Sequence, residues 1–151
     1  MSVQQEENSN KKKLNRLFGD NVEIDIIDEK QAVINEINKR ISFMKRPKVA
    51  NITQVIFVIA SKMPKPNLLM LDKWLAYAEF SNIKPLIVIN KIDLDSKEAN
   101  SICKLYTDVG YRVILTDGIN NLGLDKLKEI LANNITTFAG QSGVRKIDSY
   151  K

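Results

Sequence analysis

Pro85-Leu86-Ile87-Val88-Ile89-Asn90-Lys91-Ile92-Asp93 decides the fold. Its first part is a short, uninterrupted, β-branched apolar run. Such a run reads as a strand buried on both faces, the kind found inside parallel sheets. A polar tetrapeptide, N-K-x-D, follows at the C-terminal end of the strand, which is where ligands of parallel sheets bind.

The flanking sequence repeats the pattern. Upstream, Gln54-Val55-Ile56-Phe57-Val58-Ile59-Ala60 is a second continuous apolar run, followed by a loop punctuated by Pro64 and Pro66. Asn67 is a plausible N-cap. Leu71, Trp74, Leu75 and Ala78 recur at helical spacing, so an amphipathic helix is expected over Leu68–Phe80, with Trp74 in core packing. Downstream, a helix is expected from Ser96 to Val109, ended by Gly110. A strand follows from Arg112 to Leu115, then a polar loop from Thr116 to Gly123. A short helix from Leu124 to Leu131 and a strand from Ile135 to Ala139 complete the series. Strands alternating with helices imply an α/β fold with a parallel sheet.

The N-terminal third reads differently. Residues 1–16 are polar and end near Lys11-Lys12-Lys13, a leader expected to be disordered. After Gly19-Asp20, the alternation of Val22, Ile24 and Ile26 with Glu23 and Asp25 predicts a half-buried strand. Ala32–Ile37 predicts a second strand and Ile41–Met44 a third short extended piece. These resemble part of a small barrel. The basic residues Lys39, Arg40, Lys45, Arg46 and Lys48 are candidate RNA contacts, and the cluster also reads as a charged linker into the second module.

Composition narrows the chemistry. The chain has 151 residues, 44% of them hydrophobic and 27% charged, with a net charge of +5. That permits a packed core and an acidic or RNA partner without demanding either. There is no histidine and one cysteine, Cys103, expected in the buried face of a helix. Zinc sites, histidine acid–base catalysis and an internal disulfide are thereby excluded, and a reducing cytoplasm suits the chain. No run of about 20 apolar residues exists to span a membrane as a helix.

Two stretches carry chemistry. In Asn90-Lys91-Ile92-Asp93, a carboxylate at a strand end can accept the paired ring N–H and amine hydrogens that guanine offers and adenine lacks. A site built on such bonds discriminates strongly, because the wrong base leaves polar groups unpaired. The tetrapeptide also reads as a turn in which Asp93 or Asp95 caps the next helix. The second stretch is Gly140-Gln141-Ser142-Gly143-Val144-Arg145-Lys146-Ile147. It begins as a phosphate loop, G-x-x-x-x-G-K-[ST], whose backbone N–H groups wrap anionic oxygens. Gly140, Ser142, Gly143 and Lys146 fit, whereas Arg145 stands where glycine is required and Ile147 where a hydroxyl is. An ordinary glycine turn is the alternative.

The order of the two stretches is more specific than either alone. In ordinary small GTPases the phosphate loop precedes N-K-x-D, and here it follows. Together with Gly19-Asp20-Asn21-Val22-Glu23 and Arg46-Pro47-Lys48-Val49-Ala50-Asn51-Ile52-Thr53-Gln54, this order resembles the circularly permuted ribosome small-subunit-dependent GTPase A family (RsgA, also called YjeQ or YloQ). The resemblance runs from about Gly19 to Val144. It implies a partial OB-fold over residues 17–48 and the first part of a circularly permuted P-loop GTPase domain over 49–151. It also implies GTP or GDP as ligand, Mg²⁺ in the family's site, and zinc in a further C-terminal domain of the family. The small ribosomal subunit and its rRNA are the implied partners, and a cytoplasmic monomer is expected. By motif match, Asn90, Lys91, Ile92 and Asp93 would meet guanine, and Gly140, Gln141, Ser142, Gly143, Val144 and Lys146 the phosphates.

Departures from the family qualify the expectation. Asp117-Gly118 replaces a Ser-Ala pair beside the base. Ile147 stands where a hydroxyl would hold Mg²⁺, no catalytic residue is assigned, and the early barrel strands are expected to be replaced by the polar leader. One codon series that would encode Val144 to Lys151 is GTT AGG AAA ATC GAC TCT TAT AAA. Losing the first A of AGG turns it into V-G-K-S-T-L-I, the intact loop. A frameshifted, truncated copy with little or no activity is therefore expected. An in-frame divergent end, a nucleotide-independent rRNA-binding module and a non-functional fragment are the alternatives.

Overall fold

A computed structural model describes residues 15–144. The leader through residue 14 and the tail from Arg145, including Lys146 and Ile147, lie outside the described residues. The order of elements is β1 (Val22–Asp28), β2 (Gln31–Ile37), β3 (Phe43–Lys45), β4 (Lys48–Ala50), β5 (Gln54–Ala60), α1 (Leu68–Phe80), β6 (Lys84–Asn90), α2 (Ser96–Asp108), β7 (Val113–Leu115), α3 (Leu124–Leu131) and β8 (Thr136–Gly140).

The expected α/β architecture is present. Four parallel strands lie in the order β7-β6-β5-β8. Every residue of β5 is buried, as an unbroken apolar run between two layers requires. Alternate residues serve opposite faces. Val55, Phe57 and Ile59 join Ile87 and Ile89 under Leu71, Leu75 and Ala78 of α1 and Ala99, Ile102 and Tyr106 of α2. Ile56, Val58 and Ala60 join Leu86, Val88 and Ile114 against Leu127 and Ile130 of α3. Trp74 stacks on Phe57 with ring centroids 5.7 Å apart, so it belongs to the core. Cys103 is half-buried on α2 at the edge of the same cluster.

Local signals account for the helix boundaries. The Asn67 side chain accepts the Met70 N–H at 3.0 Å, which caps α1. Asp95 accepts the Glu98 N–H at 3.1 Å and caps α2, which leaves Asp93 without that duty. Gly123 begins α3 at φ 77°, and a Cβ there would stand 2.1 Å from the Leu115 carbonyl oxygen, so no other residue fits.

The chain runs β5, β6, β7 to one side of the sheet and then returns β8 to the opposite side of β5. The strand order therefore reverses between β5 and β8. Ligands of open α/β sheets bind in the crevice at such a reversal, beyond the carboxyl ends of the strands.

The N-terminal part departs from expectation in two ways. β1 and β2 pair as an antiparallel hairpin, but the apolar face is open: Ile24 and Ile26 are exposed. Alternation establishes which residues share a face, not that anything covers that face. The basic stretch after Ile41 is not a simple extended linker. β3 and β4 form a second hairpin turning at a cis Arg46-Pro47 bond. It is docked on the sheet domain, with Met44 in the α1–α2 core and the Lys45 N–H donating to Tyr77 Oη at 3.3 Å.

Two polar residues of the Arg46–Gln54 stretch explain themselves structurally. Asn51, at φ 55°, accepts the Ile41 N–H and donates to the Gly19 carbonyl. Gln54 is buried and donates to the Ile130 carbonyl at 3.1 Å and to Thr136 Oγ1 at 2.7 Å, joining α3 to β8.

Candidate guanine-nucleotide site

Three loops leave the carboxyl ends of β5, β6 and β8, and a fourth leaves β7. Side chains at the first positions of these loops bind them together. Asn90, the last residue of β6, is 3% exposed. Its Nδ2 donates to the Val144 carbonyl at 3.1 Å, and its Oδ1 accepts the Thr116 hydroxyl at 3.1 Å. The Asn90 amide thus joins the loops after β6, β7 and β8.

Lys91 adopts φ 59°, a left-handed conformation uncommon for a residue with a side chain. Its Nζ donates to the Met63 carbonyl at 2.6 Å and to the Gly143 carbonyl at 2.7 Å. The ammonium therefore spans the gap between the β5 and β8 loops, at the point where the strand order reverses. Ser61, 2% exposed, completes the assembly, with its hydroxyl donating to the Lys91 carbonyl at 2.6 Å.

Ile92 packs on the α1–α2 core, and its N–H donates to the Thr116 carbonyl at 3.4 Å. Asp93 is exposed, and among the described residues its carboxylate accepts no hydrogen bond. A short exposed carboxylate on a pinned turn is able to accept a paired donor set such as guanine's.

The start of the phosphate-loop stretch is sterically defined. Gly140 pairs with Val58, and a Cβ on it would lie 2.1 Å from the Val58 carbonyl oxygen. Gly143 has φ 83°. Between them Ser142 is exposed, and Gln141 buries an Oε1 that has no donor partner among the described residues. Val144 is fully buried in the α3-side core and anchors the loop from below. Lys146, the remaining phosphate candidate, lies outside the described residues.

Asp117 turns inward. Its carboxylate accepts the Ile119 N–H at 2.9 Å, the Asn120 N–H at 3.3 Å and the Asn120 side-chain amide. Burial pushes this carboxyl up, but the Asn120 amide and the two backbone N–H groups outweigh burial and hold it below its ordinary value. The residue therefore closes its own loop.

Of the basic candidates, Lys39, Lys45, Arg46 and Lys48 are exposed. Arg40 is engaged. Its Nε and Nη2 donate to the two Asp20 carboxylate oxygens at 2.7 and 2.9 Å, and Nη2 also reaches the Asn15 carbonyl.

Sequence patterns missed Ser61 and Thr116. Both immediately follow buried strands, as Asn90 closes one, and that shared position is the signal that would have found them.

The comparisons with known proteins agree with this geometry. The RsgA GTPase family model matches residues 30–147. The chain is 46% identical over 132 residues to the small ribosomal subunit biogenesis GTPase RsgA of Ruminiclostridium cellulolyticum, covering 86% of this chain and 43% of that protein. It is 44% identical over 139 residues to the RsgA of Alkaliphilus metalliredigens, covering 90% and 48%. The chain thus spans about half the length of the curated relatives it matches. Among solved structures, YjeQ from Thermotoga maritima superimposes with a TM-score of 0.79 at 33% identity, covering 91% of this chain and 51% of that one. YloQ, a circularly permuted GTPase, gives 0.71 at 32%, covering 93% and 50%. Motif order, sheet topology and the match over most of its length agree, and the chain belongs to the RsgA GTPase family.

Proposed function

We propose that this chain binds guanine nucleotides, with Asn90, Lys91, Ile92 and Asp93 at the base and Gly140, Gln141, Ser142, Gly143, Val144 and Lys146 at the phosphates. The observation that supports it is the Lys91 ammonium bonded to the Gly143 carbonyl, which brings the two motif stretches into contact. The family's activity is GTP hydrolysis, and the role proposed by extension is in biogenesis of the small ribosomal subunit, in the cytoplasm, as a monomer.

Turnover by this chain itself is proposed to be at background. Arg145 adds a side chain where the loop backbone must approach phosphate, and Ile147 brings no oxygen to a metal. Mg²⁺ at such a loop is held by a hydroxyl and the phosphates, and with Ile147 in the hydroxyl position the loop does not fit the family's Mg²⁺. Titration with fluorescent GDP and ADP derivatives tests binding, with weak binding selective for GDP expected. GTP turnover above background, with or without small ribosomal subunits, would overturn the proposed inactivity.

A second reading, an RNA contact independent of nucleotide, is favoured by one feature. Lys45 and Arg46 line a groove together with the half-buried rings of Trp74 and Tyr77, with no carboxylate in its lining. Aromatic floors with cationic rims suit unpaired bases and their phosphates. The expected result is salt-sensitive binding of small-subunit rRNA that GTP does not change. RNA binding unaffected by replacing Lys45 and Arg46 would count against it.

A further inference from the structure

Ser61 lies outside both motif stretches, yet it touches the guanine motif twice. Its backbone N–H donates to the Asn90 carbonyl at 2.9 Å, continuing the β5–β6 ladder one step past the Ala60–Asn90 pair. Any residue could make that bond. Its hydroxyl makes the other, at 2.6 Å to the Lys91 carbonyl, and only a side chain with a short donor can do so.

The Lys91 carbonyl also accepts the Leu94 N–H at 3.0 Å, so this oxygen closes the turn that carries Asp93. The contact is reciprocated, because Lys91 Nζ donates back to the Met63 carbonyl two residues beyond Ser61. The β5 loop and the guanine motif are therefore clasped in both directions. Asp93 has no partner of its own among the described residues, and its direction is set by the turn beneath it. Lys91 holds a sparsely populated conformation that persists only when its surroundings over-determine it.

From this geometry we infer that Ser61 is a positioning residue for base selectivity: its hydroxyl holds the Asn90–Asp93 turn in the conformation that aims Asp93 at guanine. The inference rests on the proposed guanine-nucleotide site. It assigns Ser61 no contact with the nucleotide.

The test compares the full chain with Ser61→Ala by titration with mant-GDP and mant-ADP, alongside thermal melts. The expected result is a cooperative melt and a GDP-over-ADP affinity ratio reduced about tenfold, equivalent to about 1.4 kcal/mol. General destabilisation weakens both ligands alike and leaves the ratio in place. A ratio within about twofold of the parent chain overturns the inference. If Ser61→Ala does not melt cooperatively, Ser61→Cys, which keeps the volume and weakens the donor, carries the same comparison. If the parent chain binds neither ligand, the guanine-site proposal fails, and amide hydrogen exchange at Leu94 decides the role of Ser61. Exchange faster by about tenfold in the variant supports the clasp, and unchanged exchange overturns it.

Discussion

The Lys91 ammonium donates to the Gly143 carbonyl at 2.7 Å across a separation of 52 residues. One side chain of the N-K-x-D tetrapeptide thereby fixes the backbone of the Gly140–Val144 stretch. Neither stretch is placed independently, and a change in one is felt in the other.

Lys91→Ala removes this bond and the one to Met63. Hydrogen bonds from a charged donor are individually worth about 1.5–3 kcal/mol. Affinity for a fluorescent GDP derivative is expected to fall by about tenfold or more. An unchanged dissociation constant would separate the two loops functionally.

Asp93→Asn should leave the fold untouched. The side chain is exposed, and Asp95 already caps α2. The change in stability is expected to stay within about 0.5 kcal/mol, while the preference for GDP over ADP drops. A large fall in melting temperature would mean that Asp93 has a structural duty.

Gly140→Ala and Gly143→Ala should differ sharply. At Gly140 the new Cβ would meet the Val58 carbonyl oxygen at 2.1 Å, forcing β8 away from β5, whereas at Gly143 the nearest atom is 3.8 Å away. Gly140→Ala is expected to lower the melting midpoint by roughly 10 °C. Gly143→Ala costs only the left-handed backbone penalty, about 1–2 kcal/mol. Differential scanning calorimetry on both variants reads the contrast.

The Asp20–Arg40 pair predicts a pH dependence. The Arg40 side chain, helped by the Leu17 N–H, holds the Asp20 carboxyl below its ordinary value. A carboxyl depressed in the folded state adds stability that is fully present above its unfolded pKa, about 3.9, and is lost as pH falls through the folded value. Arg40→Ala should lower stability at neutral pH and flatten the decline below about pH 4. Urea unfolding at several pH values checks this, and parallel curves for the two proteins would dismiss the pair as a contributor.

Much of the fold was legible in the sequence because its determinants are local. Val55–Ala60 and Leu86–Ile89 are apolar at every position, so each had to be buried on both faces. Asn67 and Asp95 accept N–H groups three residues ahead, and such caps are read directly from spacing. The order of N-K-x-D before the phosphate-loop stretch identified a permuted arrangement, since motif order is a property of the chain alone. The alternation of Ile24 and Ile26 also established a strand. It could not establish burial, because covering a face depends on what else packs there.

The partners within the site were a different matter. Asn90 meets Val144 across 54 residues, Lys91 meets Met63 across 28, and Ser61 meets Lys91 across 30. Arg40 appeared as one of several free cations until the structure paired it with Asp20. Sequence by itself determined the strands and helices of the parallel sheet, the Asn67 cap and the family. Only the tertiary structure decided which strand ends stand side by side. The parallel register of β6, β5 and β8 sets those neighbours, and each hydrogen bond across the site reaches only about 3 Å.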